Sequence, residues 1–548
     1  MMSTSRRELL SAGSVGALAL AATIGSIGHD FTYDDRSVIF DNDRVHAMWR
    51  IPQLFTETYW PPKYGGDGYR PIVTTLFTMQ WSAAHGAPWL FHLVNILLAV
   101  ATALAVFWCI SAILPPLGAW VAAALFAVHP VHVEVTGNVV GQSELLVALF
   151  VTLAMGVFLR QRTRGGPDGR STVTITALFA LALFSKEHAI VLPALIVAAE
   201  LVLPAHDDCR ARARAVRPLL LALTAVALGY LLARGAVQSD LTGFIPFPIF
   251  RFLRMSATDR IGTMMNEMPR IAQLLVFPVK LSADYSPNDV IVARGFDVSQ
   301  LPGIIITCGT VLLAVVLRKR APVASFGLFW LIVSFAPVSN LIIPAGFVTA
   351  ERTLFLPSVG VLIVVGVIAE YVRARAGATR RTLAGAALAA LILAGLARSI
   401  DRMHVWKNND AFFVALMRDA PNGYRAHFLF AKHVGLQSHL AQMEMEYRRA
   451  IRIFPYDAGM TLSIADSYTR AGLCAPAVAL FEWTFSVEPE MGEGRYEYVY
   501  CLAKLGRWTD VRSQALAGLK YVPSRDLRLM RAAVWESARV LRAGGKYK

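Results

Sequence analysis

Two adjacent carboxylates, Asp34 and Asp35, stand a few residues beyond the first long apolar stretch, residues 9–28. Charge beside a membrane is costly and usually functional. The pair could act as general base toward a hydroxyl, ligate a metal or form a solvated helix end. Arg70, in Tyr69-Arg70-Pro71, could pair with them, hold a phosphate or anchor an interfacial segment. A second cluster is His129-Pro-Val-His132-Val-Glu134. Imidazoles and a carboxylate this close allow metal binding, but Pro130 disturbs the helical spacing, and a hydrogen-bonded polar site fits better. Glu144 opens the next apolar run. Ser185-Lys186-Glu187-His188 interrupts two more, and Lys186 with Glu187 suits an interfacial ion pair or a lipid phosphate. Glu351-Arg352 precedes a further run, and a guanidinium there can take phosphate oxygens two at a time.

The elements that must position these residues are membrane helices. The chain has 548 residues, 55% of them hydrophobic and only 17% charged, with a mean hydropathy of +0.48, outside the soluble globular range. Apolar runs lie at 8–28, 91–114, 117–134, 143–160, 173–187, 188–204, 217–234, 301–317, 322–340, 354–372 and 383–399, which predicts about eleven spans. The net charge of +15 is not a nucleic-acid signature, because the arginines gather beside these runs. Arg6-Arg7, Arg160 to Arg170, Arg210 to Arg217, Arg318 to Arg320 and Arg373 to Arg381 are expected on the cytoplasmic side. Eleven spans keep them together only if 235–300 stays on the other side, with its short apolar segment 271–279 re-entrant or interfacial. Residues 29–90, the turns near 130–142 and Lys186, the 340–353 loop and everything after 400 then share the exterior. Ser5-Arg6-Arg7 before an apolar run resembles a signal peptide, but a run of spanning length favours an uncleaved first span. The five scattered cysteines form no CxxC pair, and no spacing demands that Cys474 and Cys501 join.

After residue 400 the pattern changes. Pro455, Pro489 and Pro523 stand 34 residues apart, and Tyr447/Phe481 and Gly472/Gly506 keep the same interval. In the copy at 458–491, Ala465, Tyr468, Gly472, Ala477, Phe481 and Pro489 follow the tetratricopeptide pattern. Repeats at 424–457, 458–491 and 492–525 with a capping helix at 526–544 predict a small solenoid that binds peptides or proteins. The expected organisation is a polytopic domain at 1–400, with exterior loop 1 at 29–90, followed by a repeat domain at 401–548. The fold class is all-α.

Several stretches together resemble one family: YDD…FDN (33–42), YRP (69–71), FHLVNILL (91–98), LFAVHPVHVEVTGNVVGQSELL (125–146), SKEHAI (185–190) and SNLIIPAGFVTAERTLFLPSVG (339–360). They are similar to the transmembrane and tetratricopeptide-repeat containing protein O-mannosyltransferases and their bacterial relatives, a branch of the GT-C glycosyltransferases. The resemblance covers most of residues 30–360. It departs from the eukaryotic members in the low repeat number and in Thr353, where valine is common. It implies transfer of mannose or a similar hexose, with inversion, from a polyprenyl-phosphate donor to a protein Ser/Thr or glycan hydroxyl on the exoplasmic face. Asp35 or Asp34 would be the base. Arg352, Lys186 and Arg70 would neutralise the departing phosphate, and His129, His132, Glu134, Glu144, Glu187 and Glu351 would line the site. The resemblance requires no cofactor and no nucleotide, with a divalent metal the less favoured option, and together with the basic loops implies a bacterial inner-membrane protein with a cytoplasmic N-terminus and periplasmic repeats. A non-catalytic scaffold for envelope assembly and a lipid-linked saccharide transporter or ligase are the alternatives.

Overall fold

Out of water a chain must satisfy its own amides and carbonyls, and helices do so within one segment. The computed structural model of the protein is accordingly helical, with no strand among the described residues. These are residues 2–64, 66–203, 209–238, 255–437, 439–524 and 526–544, without the side chains of 2–5 and 209. Residues 239–254, within the expected 235–300 segment, lie outside them. The chain divides into two units: Met1–Ile245 with Asp259–Tyr285 and Val290–Ala420, and Pro421–Lys548 with Pro246–Thr258 and Ser286–Asp289.

Counting helices of ten residues or more, the first unit begins with α1 (Met2–Thr23), α2 (Pro71–Ala84), α3 (Pro88–Ile110), α4 (Pro116–Ala127) and α5 (Gln142–Arg162). It continues with α6 (Gly169–Ser185), α7 (Leu192–Val202), α8 (Cys209–Gln238) and α9 (Ala257–Val276). It closes with α10 (Leu301–Arg320), α11 (Pro322–Phe335), α12 (Phe355–Arg375), α13 (Ala378–Met403) and α14 (Asn409–Asp419). Proline opens many of them at the first turn, where its missing N–H costs nothing.

Among the described residues, seven helices are long and apolar enough to cross a membrane: Arg6–Gly28, Pro88–Ile110, Val139–Arg162, Arg210–Gln238, Val298–Arg320, Glu351–Arg375 and Ala378–Trp406. An eighth is made if Pro116–Ala127 and Pro130–Gly137, bent by 49°, count as one. The protein is thus multi-pass. The difference from eleven has a physical cause. Runs 173–187, 188–204 and 322–340 give α6, α7 and α11, of 17, 11 and 14 residues, short of the roughly 20 needed at 1.5 Å per residue. Run 117–134 breaks where Pro130 removes a donor. The apolar segment 271–279 continues α9 and leaves the helix after Val276.

The core of this unit joins α1, α3, α4, α5, α6, α7, α8, α11 and α12. Small residues set its closest approach. A methyl group at Gly327 of α11 would lie 2.6 Å from the Gly360 carbonyl oxygen of α12, and the Trp330 indole donates to the Leu356 carbonyl at 3.0 Å across the same seam. Such contacts drive packing where lipid removes the hydrophobic advantage.

The second unit is a series of packed helix pairs: α15 (Tyr424–Leu436) with α16 (Leu440–Ile453), α17 (Ala458–Arg470) with α18 (Cys474–Val487), and α19 (Arg495–Lys504) with α20 (Trp508–Gly518). Helix α21 (Leu527–Arg542) packs on α20. Gly472 and Gly506 turn the chain between partners at φ of 75° and 72°, a region where glycine avoids the Cβ penalty. Tyr447, Ala477 and Phe481 are buried between helices. Cys474 and Cys501 form a disulfide, Cα–Cα 5.0 Å; helix packing, and not sequence spacing, brings them together.

Gly327→Leu is expected to separate α11 from α12 and to lower stability by about 1–3 kcal/mol, read as a lower melting temperature in detergent. An unchanged melting temperature would show that the seam does not depend on glycine.

Candidate functional site

The chain leaves α1 and reverses at Tyr33, whose φ of 53° is in the left-handed region, an uncommon place for a residue with a side chain. Its amide donates to Asn409 Oδ1 at 2.8 Å and its ring stacks on Phe412 at 4.8 Å. The reversal gives the two following carboxylates different surroundings. Asp34 stays partly exposed. Asp35 is fully buried and accepts from three backbone amides: Thr32 at 3.1 Å, Val139 at 3.2 Å and Val140 at 2.8 Å.

Those donors belong to a turn built for the purpose. Asn138 Oδ1 accepts from the Val140 amide at 3.3 Å, and Asn95 of α3 donates to the Asn138 carbonyl at 2.8 Å. A methyl group at Gly141 would collide with the Val135 carbonyl, so glycine is needed for this close approach. Burial pushes the Asp35 carboxyl up to about 7, while the three amides, which favour the charged form, oppose the shift and nearby Asp34 adds to it.

The cations sit on the surrounding elements. The short helix Val133–Gly137 presents Glu134, which accepts from the Arg352 amide at 2.8 Å and also binds its guanidinium. Lys186 pairs with Glu144, whose other oxygen lies 3.3 Å from His188 Nε2. Arg70 pairs with Glu187 at 3.3 Å and covers the Tyr59 ring at 4.6 Å. These pairings replace the adjacent Lys186–Glu187 pair and the link from Arg70 to the acidic pair that sequence suggested. Neighbours in sequence diverge here because Lys186 is extended, at φ −166°, as it leaves α6. Asp34, Glu134 and Glu144 lie within electrostatic reach of Arg352, and Glu144, Glu187, Arg70 and Arg352 within reach of Lys186. Among the three cations, Arg352 keeps the most side-chain surface, 35% against 16% for Arg70 and 12% for Lys186, so it can best meet an incoming anion.

The remaining expected residues have hydrogen-bond partners within the fold. His129 Nδ1 accepts from the Val131 amide at 3.3 Å, and its Nε2 lies 3.2 Å from the Leu275 carbonyl. His132 bridges the Phe126 carbonyl, at 2.9 Å, and Ser358 Oγ, at 3.0 Å. Glu134 is engaged by Arg352, so these three residues have separate partners instead of forming the alternative metal set. Among the described residues, no group of three or more His, Cys, Asp or Glu is placed to hold a metal. Glu351 accepts from Tyr285 Oη at 2.8 Å and the Ser282 amide at 2.6 Å. Sequence reasoning did not single out Tyr285 or the organising role of Asn340. At φ 57°, Asn340 binds Ala345, Phe347 and Val348 and shapes the loop before Arg352. An asparagine four residues before a proline was the available signal for the last.

The fold and site define a polytopic helical membrane protein with an acidic and cationic cluster gathered from five separate segments. No family model matches the chain. Individual relatives do: a Caenorhabditis elegans protein O-mannosyl-transferase, F38B6.6, is 24% identical over 452 residues, 80% of this chain and 62% of its own. Mouse protein O-mannosyl-transferase TMTC3 is 25% identical over 503 residues, 85% and 53%, and human TMTC4 is 24% identical over 476 residues, 77% and 63%. The chain is similar to these protein O-mannosyl-transferases, and spans between half and two thirds of their length. Two solved structures of the Archaeoglobus fulgidus oligosaccharyltransferase, one tethered to an acceptor peptide and one with an inhibitory peptide and a dolichol-phosphate, align at 12% and 13% identity with TM-scores of 0.41. They cover 82% of this chain and 59% and 60% of theirs. A likeness of that extent carries no argument about fold or activity.

Because the Asp35 carboxyl binds its proton more tightly when folded than at its ordinary 3.8, its contribution to stability is full below about pH 4 and declines as pH rises toward 7. Melting temperature measured across that range is expected to fall less steeply in Asp35→Asn. The variant should also be about 1–3 kcal/mol less stable at pH 5, since its amide nitrogen cannot accept from the backbone N–H that one carboxyl oxygen meets. Parallel pH profiles for the two proteins would refute the assignment.

Proposed function

We propose that this protein is a membrane glycosyltransferase that moves a hexose, mannose by homology, from a polyprenyl-phosphate donor to a hydroxyl of a protein or glycan. The reading is supported by the homologues' shared description and by Asp34, which lies partly exposed within electrostatic reach of the most accessible cation, Arg352. Asp34 is our choice for the base, because both oxygens of Asp35 are occupied by backbone amides. The acceptor oxygen attacks C1 of the sugar from the face opposite the phosphate. The C1–O bond to phosphate breaks with inversion, Asp34 takes the hydroxyl proton, and the polyprenyl phosphate leaves with the electron pair. Arg352, held by Glu134, would bind the developing phosphate charge, with Lys186 and Arg70 adding longer-range field. No step uses a nucleotide or a metal.

We place the reaction on the exoplasmic side. The Cys474–Cys501 disulfide suits an oxidising compartment, and the basic loops suit the opposite side. Bacterial inner membrane is our reading of localisation. The second unit we read as three tetratricopeptide repeats and a cap that recruit the acceptor, from the 34-residue interval and the helix pairs that carry it. We read the expected division at residue 400 as lying nearer residue 420, with the GT-C-like domain in the first unit and the repeat domain at 421–548.

The test is glycoproteomics and glycolipid profiling of a deletion strain complemented with single variants. Asp34→Asn should lose about 10²–10⁴-fold in transfer with an unchanged melting temperature. Wild-type glycans from Asp34→Asn would refute the base assignment, and those from Asp34→Asn/Asp35→Asn would favour a scaffold. Arg352→Gln should lose about 10²–10³-fold, and Arg352→Lys should recover only part of it, because lysine cannot form the planar fork.

A further inference from the structure

A separate cleft of about 450 Å³ opens where the end of α13 meets α14, lined by Arg398, Asp401, Arg402, Val414, Arg418 and Asp419 among others. Arg398 pairs with Asp401 at 2.5 Å, Arg418 with Asp419 at 2.9 Å, and Arg402 also with Asp419. Three guanidiniums therefore share two carboxylates, which leaves the lining one positive charge in excess. Arg402 is the unusual member. Its side chain is only 2% exposed, and its buried Nε has no hydrogen-bond partner. A charged donor withdrawn from water without an acceptor is costly, and the residue that carries it belongs to the lining of this cavity. A phosphate group supplies several anionic oxygens and matches guanidinium geometry.

The setting selects the source of that phosphate. Arg398 to Arg402 occupy the last turns of the membrane-crossing helix Ala378–Trp406. Ile400 and Val414 beside the cleft are exposed apolar residues, at 43% and 63%. Apolar surface next to clustered arginine is the composition of the headgroup level of a bilayer. We propose that this cleft binds the phosphate of an anionic phospholipid headgroup, with Arg402 as the fixed donor and Arg398 and Arg418 as the exposed clamps. It is a site distinct from the Arg352 cluster and serves lipid recognition, not transfer.

The full chain would be reconstituted in nanodiscs of mixed phosphatidylglycerol and phosphatidylcholine, extracted in mild detergent, and its retained lipid measured by mass spectrometry. Wild type should enrich phosphatidylglycerol, and R398Q/R418Q should lose that enrichment by about tenfold with unchanged circular dichroism. R380Q/R381Q, at the other end of α13, should keep it. The single variant R418Q, whose side chain is 70% exposed, should show a smaller loss and serves if the double variant fails to fold. Undiminished enrichment in R398Q/R418Q, or an equal loss in R380Q/R381Q, overturns the proposal. Thermal protection by inorganic phosphate equal to that by phosphatidylglycerol at the same concentration would assign the cleft to a free anion and overturn the lipid assignment.

Discussion

A carboxylate taken out of water must be met by donors, and the way Asp35 meets them organises everything around it. Its oxygens accept from the Thr32 amide in its own loop and from Val139 and Val140 in a turn more than a hundred residues away. Loop 29–50 and the 130–142 turn are thereby fixed to each other. The second of these carries Glu134, which fixes Arg352 through both its backbone and its side chain. One buried acid thus sets the register between Asp34 and Arg352, the two groups on which the proposed chemistry rests. The arrangement stores local strain at Tyr33, held by Asn409 and Phe412, as sites that must aim a side chain often do.

The same electrostatic constraint explains the rest of the cluster. Each cation of the site has a carboxylate partner: Arg352 has Glu134, Lys186 has Glu144, and Arg70 has Glu187. Unpaired charge at this depth would cost several kcal/mol, whereas pairs with satisfied hydrogen bonds persist. Pairing also holds the cations in place before any anion arrives, which is what an electrostatic contribution to a transition state requires. Arg352 combines a rigid hold with exposure, and the other two are enclosed.

Much of this was legible in residues. Hydropathy and the clustering of arginine beside apolar runs give a multi-pass helical protein, and the 34-residue interval falls on the helix pairs of the second unit. The six motif stretches contain every charged residue of the site cluster, because charged residues amid apolar sequence stand out whatever the fold. Less legible was the number of long spans. The run at 322–340 reads as a span, yet its helix stops at Phe335 and continues as a turn that leads into the Asn340 loop. Hydropathy averages over such a break, and hydrogen bonding does not.

What the sequence by itself determined is the chemical inventory: which acids, bases and cations exist, and that they punctuate membrane helices. Tertiary structure alone decided their roles. Asp34 and Asp35 are adjacent and identical in type, and only the left-handed turn at Tyr33 buries one against amides and leaves the other partly exposed. Lys186 and Glu187 are neighbours that part to different partners for a like reason, since an extended residue sends successive side chains to opposite sides. Covalent order specifies which groups lie near each other along the chain. Solvation and partnership depend on what packs against them, and that comes from segments distant in sequence.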